Sequence, residues 1–180
     1  ASGEAMAALK MYLESGRYRR ATGSLGTSES GFVMLGNITL GSNRLPLYES
    51  DGIFKELPSA LQESAFIDRI HGLIEGWFMP RVSRNTPSRT LGFKGDFFSE
   101  VLHELRVDLR YADYVSQSLH LPQCEDMRDN KAIARLAEGF LKLLFPDLVL
   151  SEEEFITYCV NPAVRMRQQI RDELSKIDQE

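Results

Sequence analysis

The sequence predicts a mainly helical chain: part of an α/β core with few parallel strands, followed by an all-α domain. Three observations point there. The run Phe32-Val33-Met34-Leu35 leads through Gly36 into Asn37, and a continuous apolar run is what a strand buried on both faces requires. Arg81 to Gly95 is rich in Ser, Thr, Pro and Gly with few large apolar residues, the composition of a linker. Beyond it, apolar residues recur at the helical period almost to the end. The chain is therefore divided into residues 1–80 (core), 81–95 (linker) and 96–180 (helical domain).

The elements follow in order. Ala5, Ala8, Leu9 and Tyr12 share one face of a helix over Glu4 to Glu14, with Gly16 as its stop. Arg17 to Gly31 reads as a polar loop or a short exposed hairpin. The buried strand over Phe32 to Asn37 comes next, then an irregular stretch from Gly41 to Lys55. Pro58 suits the first turn of a helix running to about Phe66, and Ile70 to Ile74 is a second short strand. Past the linker, Phe98, Val101, Leu102, Leu105, Leu109 and Ala112 keep a 3.6-residue period behind an Asp96 N-cap. Ile133, Leu136, Ala137, Phe140, Leu141 and Leu144 mark the clearest amphipathic helix. Ser151 and Glu154 form a capping box, and Asn161-Pro162 opens a last helix carrying Met166, Ile170, Leu174 and Ile177. Two strands alone leave unpaired edges, so the core is expected to self-associate or to pack helices over the gap.

Composition bounds the function. At 180 residues, 43% hydrophobic and 26% charged, the chain is long enough for a genuine core. A net charge of −5 argues against a surface that grips nucleic acid everywhere, while leaving room for a local basic patch. Cys124 and Cys159 stand in no metal-ligand spacing and read as free thiols of a reducing cytoplasm. No apolar stretch approaches the ~20 residues of a membrane span. The start at Ala1, with a helical pattern almost at once and no initiator Met, reads as an excised fragment.

A few residues carry chemistry. Asn37 offers a donor and an acceptor at the end of an expected strand. It can orient a water beside a phosphate or simply start a turn. Arg69 follows an amphipathic segment. Its rigid, always-charged guanidinium suits charge developing on a transferring phosphoryl group, or it pairs with Asp68 or Glu75 at the surface. Arg135 lies on the polar face of the strong helix, either reaching a nucleotide or paired with Glu138. Arg17, Arg19 and Arg20, interleaved with Tyr18, can neutralise and stack on a nucleic-acid strand, or stand solvated. His71, His103 and His120 are scattered, and no metal site is expected. The chain contains no G-x-x-x-x-G-K-[ST] loop and no apolar run ending in paired acids, so it should not hydrolyse ATP by itself.

In this order the segments resemble the second half of an AAA+ ATPase module: helix, pre-sensor hairpin (Arg17 to Gly31), sensor-1 strand with Asn37, helix, arginine finger (Arg69), strand and helical lid. More narrowly, the sequence is similar to the Lon-like ATPases of bacterial BREX phage-defence systems, also described as ATP-dependent Lon-type proteases. The resemblance rests on Met11-Tyr12-Leu13-Glu14-Ser15-Gly16, Val33 to Ile38, Ala65-Phe66-Ile67-Asp68-Arg69-Ile70-His71, Gly76-Trp77, Leu102-His103-Glu104-Leu105-Arg106 and Leu141-Lys142-Leu143-Leu144-Phe145-Pro146.

That resemblance implies a cytoplasmic homo-oligomeric ring, ATP and Mg²⁺ held between neighbouring subunits of the full-length parent, and association with DNA or a protein substrate. Asn37 would sense the γ-phosphate in cis, Arg69 would be donated in trans, and Arg135, or alternatively Arg128, would be the sensor-2 residue. The phosphate loop would precede Ala1 and any protease dyad would follow Glu180, so this fragment is expected to be inactive and to bind no cofactor tightly. The rival reading is a non-catalytic helical interaction module that binds a partner protein or DNA.

Overall fold

The computed structural model describes residues 3–20, 22–28, 30–47, 51–121, 124 and 126–177. Helices dominate, and the sheet among these residues has two strands. The chain forms two compact units, one of residues 1–73 with 167–180 and the other of residues 74–166.

In the first unit, helix α1 (Gly3–Ser15) ends at Gly16, whose φ of 68° and close approach to the Ser28 carbonyl exclude a side chain. The expected hairpin follows as antiparallel β1 (Arg17–Arg19) and β2 (Leu25–Thr27). Tyr18 lies across Gly26, where a Cβ would collide with its ring, and meets Tyr12 edge-on at 6.5 Å. Beyond the hairpin the structure departs from the sequence expectation. Phe32 to Asn37 forms no strand, and Val33 and Leu35 are 84% and 93% exposed. A strand exists only with a neighbour to complete its ladder, and no described segment pairs here. The stretch is pinned near its ends by side chains instead: Tyr12 Oη donates to Ser30 O at 2.7 Å, and Glu56 accepts from Thr39 N and Oγ1 at 2.9 and 2.6 Å.

The helix expected from Pro58 to Phe66 splits into a 3₁₀ turn (Ser59–Leu61) and the single-turn helix α2 (Ser64–Ile67). Extended Glu63 (φ −65°, ψ 125°) resets the chain between them. Gln62 Nε2 meanwhile donates back to the carbonyls of Lys55 and Leu57, holding the chain in turns. Ile70 to Ile74 is likewise not a strand. Among the described residues, Met6, Ile53, Phe54, Phe66, Ile67, Ile170 and Leu174 are the buried apolar residues of this unit.

In the second unit, residues 81–94 are exposed and irregular. Helix α3 spans Gly95–Val107 with Lys94 at its N-cap. Asp96 thus lies inside the first turn, where a carboxylate complements the helix dipole without capping. The apolar period that reads through to Ala112 hides a break at Asp108, which is extended at ψ 114° and accepts from Arg110 N and Nε at 3.0 and 3.1 Å. That Asp turn starts a separate helix, α4 (Arg110–Ser118). Helix α5 (Met127–Leu144) is capped by Asp126, which accepts from Arg128 N and Asp129 N. The capping box of Ser151 and Glu154 is present at α6 (Glu152–Phe155).

Asn161-Pro162 does not open a new helix. The chain runs from α6 through a π-helical turn (Ile156–Val160) into α7 (Asn161–Ile177), with Asn161 itself helical at φ −58°, ψ −45°. A wide π turn accommodates a proline because it relaxes the i→i−4 ladder where Pro162 has no N–H to give. Tyr111, Val115, Ile133, Ala137, Leu141, Phe155, Cys159 and Ala163 make the core of this unit.

Candidate functional site

The turn that carries Arg69 is the most tightly specified polar feature of the first unit. Phe66 and Ile67, both fully buried, anchor it, while Arg69 N and Ile70 N donate to Phe66 O and Ile67 O at 3.0 and 2.9 Å. From α7 comes Arg167, only 1% exposed. Its Nη1 donates to the carbonyls of Asp68 and Ile70 at 3.0 and 2.8 Å, and its Nη2 donates to Asp68 Oδ1 at 2.7 Å. A buried guanidinium must have its donors satisfied and its charge compensated, and here the residues flanking Arg69 supply the oxygens. Nearby, buried Glu173 accepts from Ile53 N at 2.7 Å and pairs with Lys176. A cavity of about 350 Å³ adjoins the turn, lined by Ser64, Asp68, Arg171 and Ser175 among others.

Arg69 itself is folded back. Its Nη1 donates to the Ala65 carbonyl, and Nε lies 2.9 Å from Glu14 Oε2. The proximity is ionic only, because the buried Nε finds no acceptor in line with its N–H. The alternative of a surface pair with Asp68 or Glu75 named the right kind of contact, but the partner is Glu14, which sequence distance conceals. Asn37 is exposed on the pinned extended stretch. Arg17 and Arg19 project from one face of β1, two residues apart, and both are exposed, as is Arg20.

Arg135 belongs to the second unit. It is exposed on α5 and lines a cavity of about 390 Å³ together with Ala112, Val115, Leu119, Lys131 and Ala134. Glu138, its suggested partner, pairs with Lys142 at 2.8 Å. Arg128 is half-buried in the first turn of the same helix. Burial pushes the Cys159 thiol up to about 11, so this cysteine is a core residue and no nucleophile. Among the described residues no three His, Cys, Asp or Glu gather closely enough to hold a metal ion. No helix there is long and apolar enough to cross a membrane.

Arg167 and Glu173 were not singled out by the sequence reading, although a signal existed. Ala163, Arg167, Ile170 and Leu174 follow one another at helical spacing, so Arg167 is a charge on the apolar stripe of α7. A charge in that place has to be buried and paired.

A mainly helical chain with a two-stranded sheet is consistent with a partial α/β core followed by a helical domain. Comparison with known proteins makes the assignment particular. The whole chain, residues 1–180, matches the model of the family described as Lon-like protease BrxL-like, ATPase domain, and the chain belongs to that family. It is 27% identical over 169 residues to the Lon-like protease BrxL of Escherichia coli O9:H4 (strain HS), and 28% identical over 170 residues to that of Bacillus cereus (strain H3081.97). Each match covers 94% of this chain and 24% of the relative, so the chain spans about a quarter of the length of the proteins it resembles. The family is thus one of ATPase domains, whose members use a nucleotide.

Proposed function

We propose that this chain supplies the sensor and arginine-finger portion of a nucleotide-hydrolysing, Lon-like ring protein, with Arg69 donated to the nucleotide of a neighbouring subunit. The observation that carries the reading is the state of Arg69. Its backbone is held by the Phe66 and Ile67 carbonyls and by Arg167, while its guanidinium rests on a partly exposed ion pair with Glu14 and on the Ala65 carbonyl, contacts that a phosphate anion can displace. The fit to a nucleotide is one-sided. The chain contains no Gly-rich loop ending in Lys-Ser or Lys-Thr, so the phosphate cradle and Mg²⁺ ligands would come from other parts of the parent. Bound ATP with Mg²⁺ would supply the phosphoryl group; Arg69 would spread its developing charge over a planar fork of donors. Asn37 would orient a water molecule through its amide, and Arg135, or Arg128, would couple nucleotide state to the helical domain. The basic edge formed by Arg17, Arg19 and Arg20 would touch DNA backbone. In this reading the parent is cytoplasmic, acts in phage defence and remodels a protein or DNA substrate.

The test is steady-state ATP turnover by the full-length parent, wild type beside Arg69→Ala, across protein concentrations. Turnover that rises with assembly and falls about 10³-fold or more in the folded variant supports donation in trans. Equal turnover removes Arg69 from the active site. In mixed rings, Arg69→Ala subunits should inhibit out of proportion to their share.

A second reading, a non-catalytic helical interaction module, is favoured by one observation. Helix α3 buries no residue, and Phe98, Val101 and Leu102, which share one face, are 48%, 37% and 36% exposed, an apolar stripe suited to a partner. Absence of both turnover and nucleotide binding in the parent would select it.

A further inference from the structure

We propose that Arg167 is a positioning residue for Arg69, setting the aim of that guanidinium by clamping the backbone on both sides of it. The inference rests on the reading of Arg69 given above and adds a second arginine, about a hundred residues further along the chain, to its action.

The geometry is specific to the turn. Arg167 reaches the carbonyl of the residue before Arg69, the carbonyl of the residue after it, and the side chain of Asp68. Two alternate carbonyls on one nitrogen fix the peptide plane that leads into Arg69 and the one that leaves Ile70, and the Asp68 carboxylate fixes the fork itself. Only a guanidinium spans three such oxygens; a lysine ammonium is a single point and could hold a subset of them. Arg167 is 1% exposed and the Asp68 side chain 19%, so water competes little for these bonds. What remains free is the Arg69 side chain, which can leave Ala65 O and Glu14 by side-chain rotation with its backbone held. A guanidinium that must meet a phosphoryl group in one geometry gains from this, because a displacement near 1 Å at a reacting centre costs on the order of 10²-fold in rate. Since Arg167 lies on α7, any shift of that helix along its axis is delivered to the Arg69 turn through these bonds.

The experiment is a double-mutant cycle in the full-length parent: wild type, Arg167→Lys, Arg69→Ala and the double variant. It reads kcat and KM for ATP, melting temperature, and hydrogen exchange at residues 68–70. Leu174→Ala on the same helix is the control for simple destabilisation. Arg167→Lys should lower kcat about 10- to 100-fold, with KM changed less than about twofold and faster exchange at Asp68, Arg69 and Ile70. In the Arg69→Ala background the same change should shift kcat less than about twofold, since one action cannot be lost twice. Leu174→Ala should lower the melting temperature and spare kcat. If Arg167→Lys does not fold, Asp68→Asn, which keeps both carbonyl bonds, should give a smaller loss that again vanishes beside Arg69→Ala.

Losses that multiply in the double variant overturn the inference, as does an unchanged kcat in Arg167→Lys while Arg69→Ala is impaired; the reading of Arg69 survives both. Unchanged turnover in Arg69→Ala overturns the two together.

Discussion

Replacing Tyr111 by Phe isolates one buried hydroxyl. The ring is fully buried in the core of the second unit, its hydroxyl donates to Pro146 O at 2.7 Å, and Lys142 Nζ stands 5.6 Å from the ring centroid. Phenylalanine keeps the packing and the cation contact, so only the hydrogen bond is lost. A typical net hydrogen bond contributes about 0.5–1.5 kcal/mol, whereas an acceptor stranded away from water costs about 1–3 kcal/mol. Pro146 is an exposed residue, so water can take over its carbonyl, and the lower range decides: a loss of about 1 kcal/mol. Leu141→Ala, at a fully buried aliphatic position in the same core, sets the scale at about 2–5 kcal/mol.

The assay is urea unfolding followed by far-ultraviolet circular dichroism, with the midpoint shift read at constant slope. Alkaline pH supplies an independent check. Burial, the largest cause, holds the Tyr111 hydroxyl above the ordinary value of 10.0. The folded state therefore keeps this proton longer than the unfolded state. Tyr111 contributes its full stability below about pH 10 and loses it as pH rises through the folded value; the Phe variant lacks this decline. A Tyr111→Phe loss as large as that of Leu141→Ala would refute the solvent argument, and an alkaline profile unchanged by the substitution would refute the placement of the hydroxyl.

The buried thiol of Cys159, raised from 9.0 to about 11, acts with the same sign: its share of stability is complete below pH 9 and lost as pH passes 11, and alkylation of the folded chain at pH 8 should label half-buried Cys124 well before Cys159. If the parent binds duplex DNA through the β1 edge, removing Arg17 and Arg19 together should lower the slope of log K against log salt by about 1.8, a change measured by titration at several salt concentrations; an unchanged slope would take the hairpin off the DNA. Glu14→Gln should release Arg69 from its ion pair and raise ATP turnover of the parent by about 1.4- to 5-fold, the range of a partly exposed pair; reduced turnover would show that Glu14 holds Arg69 in its working position.

Local signals carried well where the cause is local. Gly16 had to stop α1 because its φ of 68° suits glycine. The polar stretch after it had to turn back on itself, and Ser151 with Glu154 closed the capping box by their own spacing. The amphipathic stripe of α5 put Ile133, Ala137 and Leu141 in a core. Elsewhere the same kind of reading misled. The period from Phe98 to Ala112 runs unbroken across Asp108, because an apolar stripe does not record a side chain that bonds the backbone two residues on. Asn161-Pro162 has the look of a helix start, and only the preceding π turn lets the helix continue through it.

Sequence alone determined the mainly helical class, the exposed hairpin and the exposed, irregular stretch over residues 81–94, since propensity, capping and periodicity act over a few residues. Tertiary structure decided the rest. Phe32 to Asn37 has every residue a strand needs, yet a strand is a property of two segments, and here no described segment lies beside it to complete the ladder. Arg69 meets Glu14 and is framed by Arg167 because folding brings together residues 55 and 98 positions away in the chain, and a buried charge is stable only where such distant partners converge.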